Sequence, residues 1–252
     1  MLRTFLALLL VFVAVAPASA EPAVQGLDHI PVVVKDLERA RSDFEALGFV
    51  LKRGRVHANG LRNHHAKFAD GTEIELITPS AAADALTTQY VDWLKTGDGP
   101  VSLGLYRPGS QGEGPPGLFF DNRQHSPTDR PEHFAHPNGA QTLSAVWLAG
   151  SPAEPQILDL PSGKLVAEER CAPFGSSTRL LALKEGEIVF LPASAQLVPG
   201  RPIVAATLTV KDLAETRRTL TANGVAVREA EACARKSLWV ETHGLWLEFR
   251  QR

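Results

Sequence analysis

A handful of side chains in this sequence sit where their chemistry is expensive unless it is used. Glu75 lies between Ile74 and Leu76, and a carboxylate among apolar neighbours is costly to bury unpaired. It reads as a functional group or as the partner of Arg62 or Lys67. His29, in Leu27-Asp28-His29-Ile30, is either a ligand-type imidazole or a buried histidine bonded to backbone. His64-His65 fall on one strand and so point to opposite faces, so that one of them could enter a cavity, with two half-exposed surface histidines as the alternative. Arg62-Asn63 has the make-up of an anion grip, with a solvated turn as the alternative. His125 follows Arg123-Gln124 at a strand end, as a substrate contact or a loop-stabilising group, and Glu248 in Leu245–Phe249 is functional or caps a sheet. Other chemistries lack their residues. The sequence has no GxSxG elbow, no phosphate-cradling glycine loop and no HExxH. Glu73 and Glu75 share one strand face, whereas glycoside hydrolysis needs carboxyls on opposite sides of a sugar.

The elements that must position these groups are legible. Leu27–Val34 is rich in β-branched residues and reads as a strand. Asp36 is an N-cap for a helix over Leu37–Leu47, whose Leu37, Ala40, Phe44 and Leu47 form one apolar stripe, and Gly48 ends it. Strands are expected at Phe49–Lys52, His64–Phe68 and Glu73–Ile77, the last two joined at Asp70-Gly71. The order is strand, helix, three strands. It returns at the other end, over Ile203–Val210, Lys211–Asn223, Val225–Arg228, Ser237–Glu241 and Leu245–Phe249. Val34-Lys35-Asp36-Leu37 matches Val210-Lys211-Asp212-Leu213, Gly48 matches Gly224, and a shorter turn brings Glu75 onto Glu248. This is an internal repeat. Degenerate copies lie between, one with Val101–Tyr106 and Leu118–Asn122, another with Gln141–Leu148, Arg179–Leu183 and Ile188–Leu191. The proline-rich stretch 124–139 reads as a connector between halves at 21–123 and 140–252.

Residues 1–20 have the layout of a secretory signal peptide: Arg3, an apolar run from Phe5 to Val15, and Ala18-Ser19-Ala20 before Glu21. The run is short for a membrane span, so the expectation is a periplasmic or secreted protein without a stable membrane anchor after cleavage. The formal net charge of −2 and the lack of a basic stripe exclude nucleic acid as a natural partner. Cys171 and Cys233 are either a disulfide or two separate thiols.

A duplicated βαβββ unit, opening on Leu27-Asp28-His29-Ile30 and closing on Ile74-Glu75-Leu76, resembles the vicinal-oxygen-chelate superfamily of glyoxalase I, extradiol dioxygenases and bleomycin-resistance proteins. The segment from Arg130 to Ala140 is similar to one in glyoxalase-like members. The resemblance implies an α+β fold of repeated βαβββ units, forming open half-barrel sheets with helices on the outer face. It also implies a divalent metal (Fe, Mn, Ni or Zn) held by a His on the first strand and a Glu on the last, here His29 and Glu75. Further ligands are expected from His125, then Glu248, then His65, with Glu75 and His65 as catalytic groups and Arg62, Asn63 and His125 on a small-molecule substrate. The family pattern is incomplete. Ala205 replaces the second histidine in the last unit, and the second unit offers Ser102 and Gly104. Two functions follow as expectations: a metal-dependent lyase, isomerase or dioxygenase acting on a small oxygenated compound, or a metal-free binding protein of the resistance type. A homodimer is compatible with either.

Overall fold

The computed structural model describes residues 23–251 apart from 124, 172, 173, 233 and 234. The expected export segment and Cys233 lie outside the described residues.

The N-terminal half holds β1 (Gly26–Leu27), β2 (His29–Val33), helix α1 (Leu37–Ala46), β3 (Lys52–Val56), β4 (Arg62–Lys67), β5 (Glu73–Thr78), helix α2 (Ala85–Leu94), β6 (Gly99–Pro100), β7 (Leu103–Tyr106), β8 (Gly112–Glu113) and β9 (Leu118–Asp121). Strands β3-β4-β5-β2-β6 form one sheet and β1-β7-β9-β8 another. They meet along a seam where segment 26–33 runs antiparallel to segment 99–106, Leu27 opposite Leu105 and Val32 opposite Pro100. Asp28 N donates to Gly104 O across that seam at 2.8 Å. Each side of the seam carries a parallel pair, β2 with β5 and β7 with β9.

The C-terminal half repeats the plan. It contains β10 (Ala140–Ala149), helix α3 (Glu154–Leu158), β11 (Lys164–Cys171), β12 (Ser176–Ala182), β13 (Glu187–Leu191), β14 (Ile203–Val210), helix α4 (Leu213–Ala222), β15 (Arg228–Ala232), β16 (Arg235–Thr242) and β17 (Leu245–Gln251). These form one eight-stranded sheet, with β10 and β14 antiparallel at its centre and parallel pairs β10–β13 and β14–β17 on either side. The fold is therefore α+β, built from repeated βαβββ units as open half-barrels.

The first and last units obey the same local rules. Asp36 Oδ1 accepts from Arg39 N at 3.0 Å, and Asp212 Oδ1 accepts from Ala214 N and Glu215 N, so both helices are capped by the repeated Asp. Gly48 (φ 81°) and Gly224 (φ 73°) end them in the left-handed region. The strand after each helix starts three residues later than expected, at Lys52 and Arg228. One continuous core joins the halves, with Phe44 and Phe49 packed near Phe249.

Helix α2 is an addition. Its Tyr90 and Trp93 pack on Val33, Leu61 and Ile77. By strand alternation, Val33 and Ile77 share the face of His29 and Glu75. The helix therefore closes one end of the concave side instead of covering the outside.

Candidate metal centre

Strand register brings the candidate groups together. His29 lies opposite Glu73 and Pro31 opposite Glu75, so His29, Glu73 and Glu75 rise from one face of adjacent strands. His29 Nε2 is 3.9 Å from Glu75 Oε2. The face bounds a cavity of about 680 Å³ whose lining includes Asp28, His29, Asn63, His65, Glu73, Glu75 and Asp121.

Donor atoms of Asp28, His29 and Asp121 lie within 4.8 Å of one another. Their existing bonds separate the roles. Asp28 Oδ1 is 2.5 Å from His29 Nδ1, and Asp28 Oδ2 accepts from Arg123 N at 3.0 Å. Asp28 is thus committed to orienting the imidazole, the usual support for a ligating histidine. Asn63 Nδ2 donates to Glu75 Oε1 at 2.5 Å, which leaves Oε2 toward His29. Asp121 Oδ1 accepts from Gln111 Nε2 at 2.7 Å and Asn122 N at 2.6 Å, which leaves Oδ2. The uncommitted atoms beside Asp28 are one imidazole nitrogen, with a Glu75 oxygen 3.9 Å away and an Asp121 oxygen in the same cavity, a donor chemistry that suits a divalent transition metal.

The electrostatics agree. Burial alone would lower the His29 imidazole, but its bond to Asp28 and the charges of Glu73, Glu75 and Asp28 push it up to about 9. Burial alone would raise Glu73, but its bond to His65 and the charges of His65, His29 and Lys67 bring it down to about 2. The acids around His29 make this face a favourable place for positive charge. In chelator-treated protein the contribution of the charged His29 ring to stability is fully present below pH 6.5 and is lost as pH rises through about 9. Unfolding free energies from urea titrations at pH 6 to 10 should fall over that window, by an amount on the order of 3 kcal/mol. In His29→Asn the fall should be absent. A wild-type curve that stays flat between pH 6 and 10 contradicts the assignment.

Asp121 was missed by sequence reasoning, although a signal existed. Gly104 lies opposite Phe119 and Tyr106 opposite Asp121, the same register as His29 with Glu73 and Pro31 with Glu75. Asp121 is therefore the second unit's version of Glu75, shortened by one methylene. The same register makes Gly104 the counterpart of His29. A Cβ at Gly104 would lie 2.7 Å from Phe119 Cζ and 3.1 Å from His29 N, so the Phe119 ring fills the place of a second histidine. That ring stands edge-on to His29, centroids 4.8 Å apart.

Two expected ligands need correcting. His125 sits in the connector with its side chain 53% exposed, Nδ1 3.7 Å from Asp129 Oδ2 and its ring against Phe134, and it does not line the cavity. Glu248 belongs to β17 in the other half, where it is fully buried opposite Thr207 and bonded to Thr207 Oγ1 at 2.5 Å. Arg62 is also displaced: it is exposed, opposite Thr78 and Val56, and outside the cavity lining. Asn63 and His65 do line it. His65 Nδ1 is 3.0 Å from Glu73 Oε1, whereas His64 faces outward, 3.6 Å from Glu38 of α1. The connector is more than a spacer: Asp129 pairs with Lys52 and with Lys67 (2.8 Å), laying residues 126–129 against the cavity.

Glu248 marks what became of the second half-barrel. Burial raises its carboxyl above the ordinary 4.5, outweighing the charge of Arg250 and the Thr207 bond, and Oε1 has no partner. Stability from this group is present below the unfolded value and lost as pH rises through the raised one. Glu248→Gln should remove that pH dependence and leave the protein no less stable than wild type at pH 8, read from urea midpoints at pH 5 and 8.

Residues 27–106 match the family model described as a glyoxalase-like domain. The chain is similar in structure to a triple mutant of 4-hydroxymandelate synthase from Streptomyces coelicolor (14% identity, TM-score 0.64), covering 91% of this chain and 93% of that one. Residues 27–106 are thus similar to a glyoxalase-like domain, and the chain shares the fold of that synthase. The same fold is found in a xylose isomerase-like TIM barrel/4-hydroxyphenylpyruvate dioxygenase fusion protein (14% identity, TM-score 0.60), which matches 92% of this chain. The chain spans half the length of that fusion protein. A hypothetical protein from Staphylococcus aureus is similar at 12% identity and TM-score 0.56, over 90% of this chain and 99% of that one. No curated protein matches the sequence.

Proposed function

We propose that this glyoxalase-like protein is an exported, metal-dependent enzyme, a lyase, isomerase or dioxygenase acting on a small compound with vicinal oxygens. The observation that carries the reading is the His29 imidazole oriented by Asp28, with Asp121 grouped beside it and Glu75 Oε2 3.9 Å from its Nε2. His29, Glu75 and Asp121 would hold a divalent Fe, Mn, Ni or Zn ion. When bound, such an ion polarises substrate oxygens and steadies the negative charge that develops on them. The chain's own residues do the rest. Asp28 fixes the ring of His29, and Asn63 fixes the rotation of Glu75. His65, paired with Glu73, is the protonatable group placed in the cavity to carry a proton to or from substrate. Helix α2 closes one end against water, and its Tyr90 is pushed up by burial and by the charge of Glu75.

Elemental analysis of protein purified without chelator tests the reading: about one divalent ion per chain supports it. A metal-free product that still binds a small apolar molecule would instead favour a carrier, a reading that the Phe119 ring in the second histidine's place supports. Export follows from the layout of residues 1–20, and N-terminal sequencing of periplasmic material should give Glu21 as the first residue.

A further inference from the structure

The edge strand β3 changes register where it faces the cavity. Arg53 lies opposite His64, but Val56 lies opposite Arg62, so Gly54 and Arg55 together oppose Asn63. This is a β-bulge, a device that re-aims a side chain. Simple alternation would point Arg55 the same way as Arg53, which stands opposite His64 although its side chain also borders the cavity. The extra residue instead turns Arg55 toward the side of Gly54 and Asn63. Gly54 is confined to that inner side, since an added Cβ would overlap Asn63 Oδ1. Arg55 lines the same cavity as His29 and Glu75.

Most other charges on this face are matched, Arg53 excepted. Glu73 is met by His65 and Lys67, Asp129 by Lys52 and Lys67, Asp28 by His29 and the Arg123 amide, and Glu75 by Asn63. Among the described residues, the Arg55 guanidinium has no hydrogen-bond or ion-pair partner. In the sheet order β3-β4-β5-β2 it lies three strand spacings from His29, about 14 Å along the sheet. The cavity thus has an acidic end around His29 and two guanidinium groups without such partners, Arg53 and Arg55, on the strand at its far edge.

We propose that Arg55 is the anion-recognition residue of this site, and that its ligands carry a terminal carboxylate at the end remote from the oxygens presented to His29, Glu75 and Asp121. A guanidinium offers paired N–H donors that suit a carboxylate or a phosphate, and the two share this chemistry. The oxygen-bearing end of the ligand rests on the metal reading; the anionic end rests on Arg55, independently of any metal.

The test is calorimetric titration of the Mn²⁺-supplemented protein with 2-hydroxyglutarate and with its C5 amide, which keeps the hydroxy-acid end and loses the remote charge. Wild type should prefer the dianion by about tenfold or more. Arg55→Gln should bind both equally, while its affinity for Mn²⁺ alone stays within about twofold of wild type. 3-Phosphoglycerate distinguishes the anion source: binding tighter than 2-hydroxyglutarate, lost in Arg55→Gln, would keep the anion site and assign it to phosphate in place of carboxylate. Equal affinity of wild type for dianion and amide, or a preference that survives in Arg55→Gln, overturns the proposal. If wild type binds no Mn²⁺ yet keeps an Arg55-dependent preference for the dianion, the metal reading fails and the anion site stands.

Discussion

His29→Ala will lose the divalent metal, with affinity lower by at least about 100-fold. The imidazole supplies the one nitrogen donor of the set, and two carboxylates alone leave a poor site for a transition metal. The substitution also removes the cation that balances Asp28, Glu73 and Glu75, so these acids gain no compensation from the new methyl group. Metal analysis and Mn²⁺ titration of wild type and variant side by side check this. The variant should also lose the fall in stability between pH 6.5 and about 9, since that fall belongs to the same ring. Undiminished metal affinity in His29→Ala would remove the centre from this position altogether. The pH dependence of metal binding has the opposite sign to that of the metal-free fold. The imidazole must give up its proton to a metal, so affinity should rise as pH climbs toward 9.

Trp147→Ala should cost about 3–5 kcal/mol of stability and leave metal affinity within about twofold of wild type. Trp147 is fully buried on the inner face of the second half-barrel, opposite Ala205, which holds the place that His29 holds in the first unit. Its indole fills the room that Ala205 leaves, edge-on to Trp239 at 5.5 Å and beside Phe174 at 5.8 Å. Its Nε1 donates to Thr207 Oγ1 at 2.8 Å, and Thr207 in turn donates to Glu248. Truncation therefore opens a large cavity and breaks a buried polar chain, and both effects act in one direction. Urea unfolding measures the loss, and Mn²⁺ titration confirms that the first half-barrel is untouched. A loss below about 1 kcal/mol would mean that this face repacks, contrary to its dense aromatic contacts.

The contrast between the halves explains why one retains a candidate site. Both inherit a carboxylate on the closing strand, Glu75 and Glu248. In the first half it meets an imidazole, an amide and a polar cavity. In the second, aromatic packing has sealed it from water, and its raised carboxyl behaves as a buried polar group held by Thr207.

Much of this was legible in the sequence because it depends on local chemistry. Helix α1 and helix α4 were read from an Asp cap, an apolar stripe and a terminal glycine, all within a dozen residues of one another. The repeat preserved these signals at both ends of the chain. His29 and Glu75 were read as candidates from their strand positions within one βαβββ unit. Helix α2 went unread because its role is to close the concave face, and its burial is set by contacts with Val33, Leu61 and Ile77.

What the tertiary structure decided was register and filling. Asp121 gains its place beside His29 only because β7 and β9 pair as β2 and β5 do, across a seam between distant segments. His125 and Glu248 have suitable side chains but stand in the wrong places, one in an exposed connector and the other behind a wall of tryptophan. Arg62 and Arg55 are equivalent by composition, and a single inserted residue in β3 determines which of them reaches the cavity. Periodicity along one strand fixes which residues share a face. It does not fix which residue of another strand lies alongside, and coordination and charge pairing depend on that.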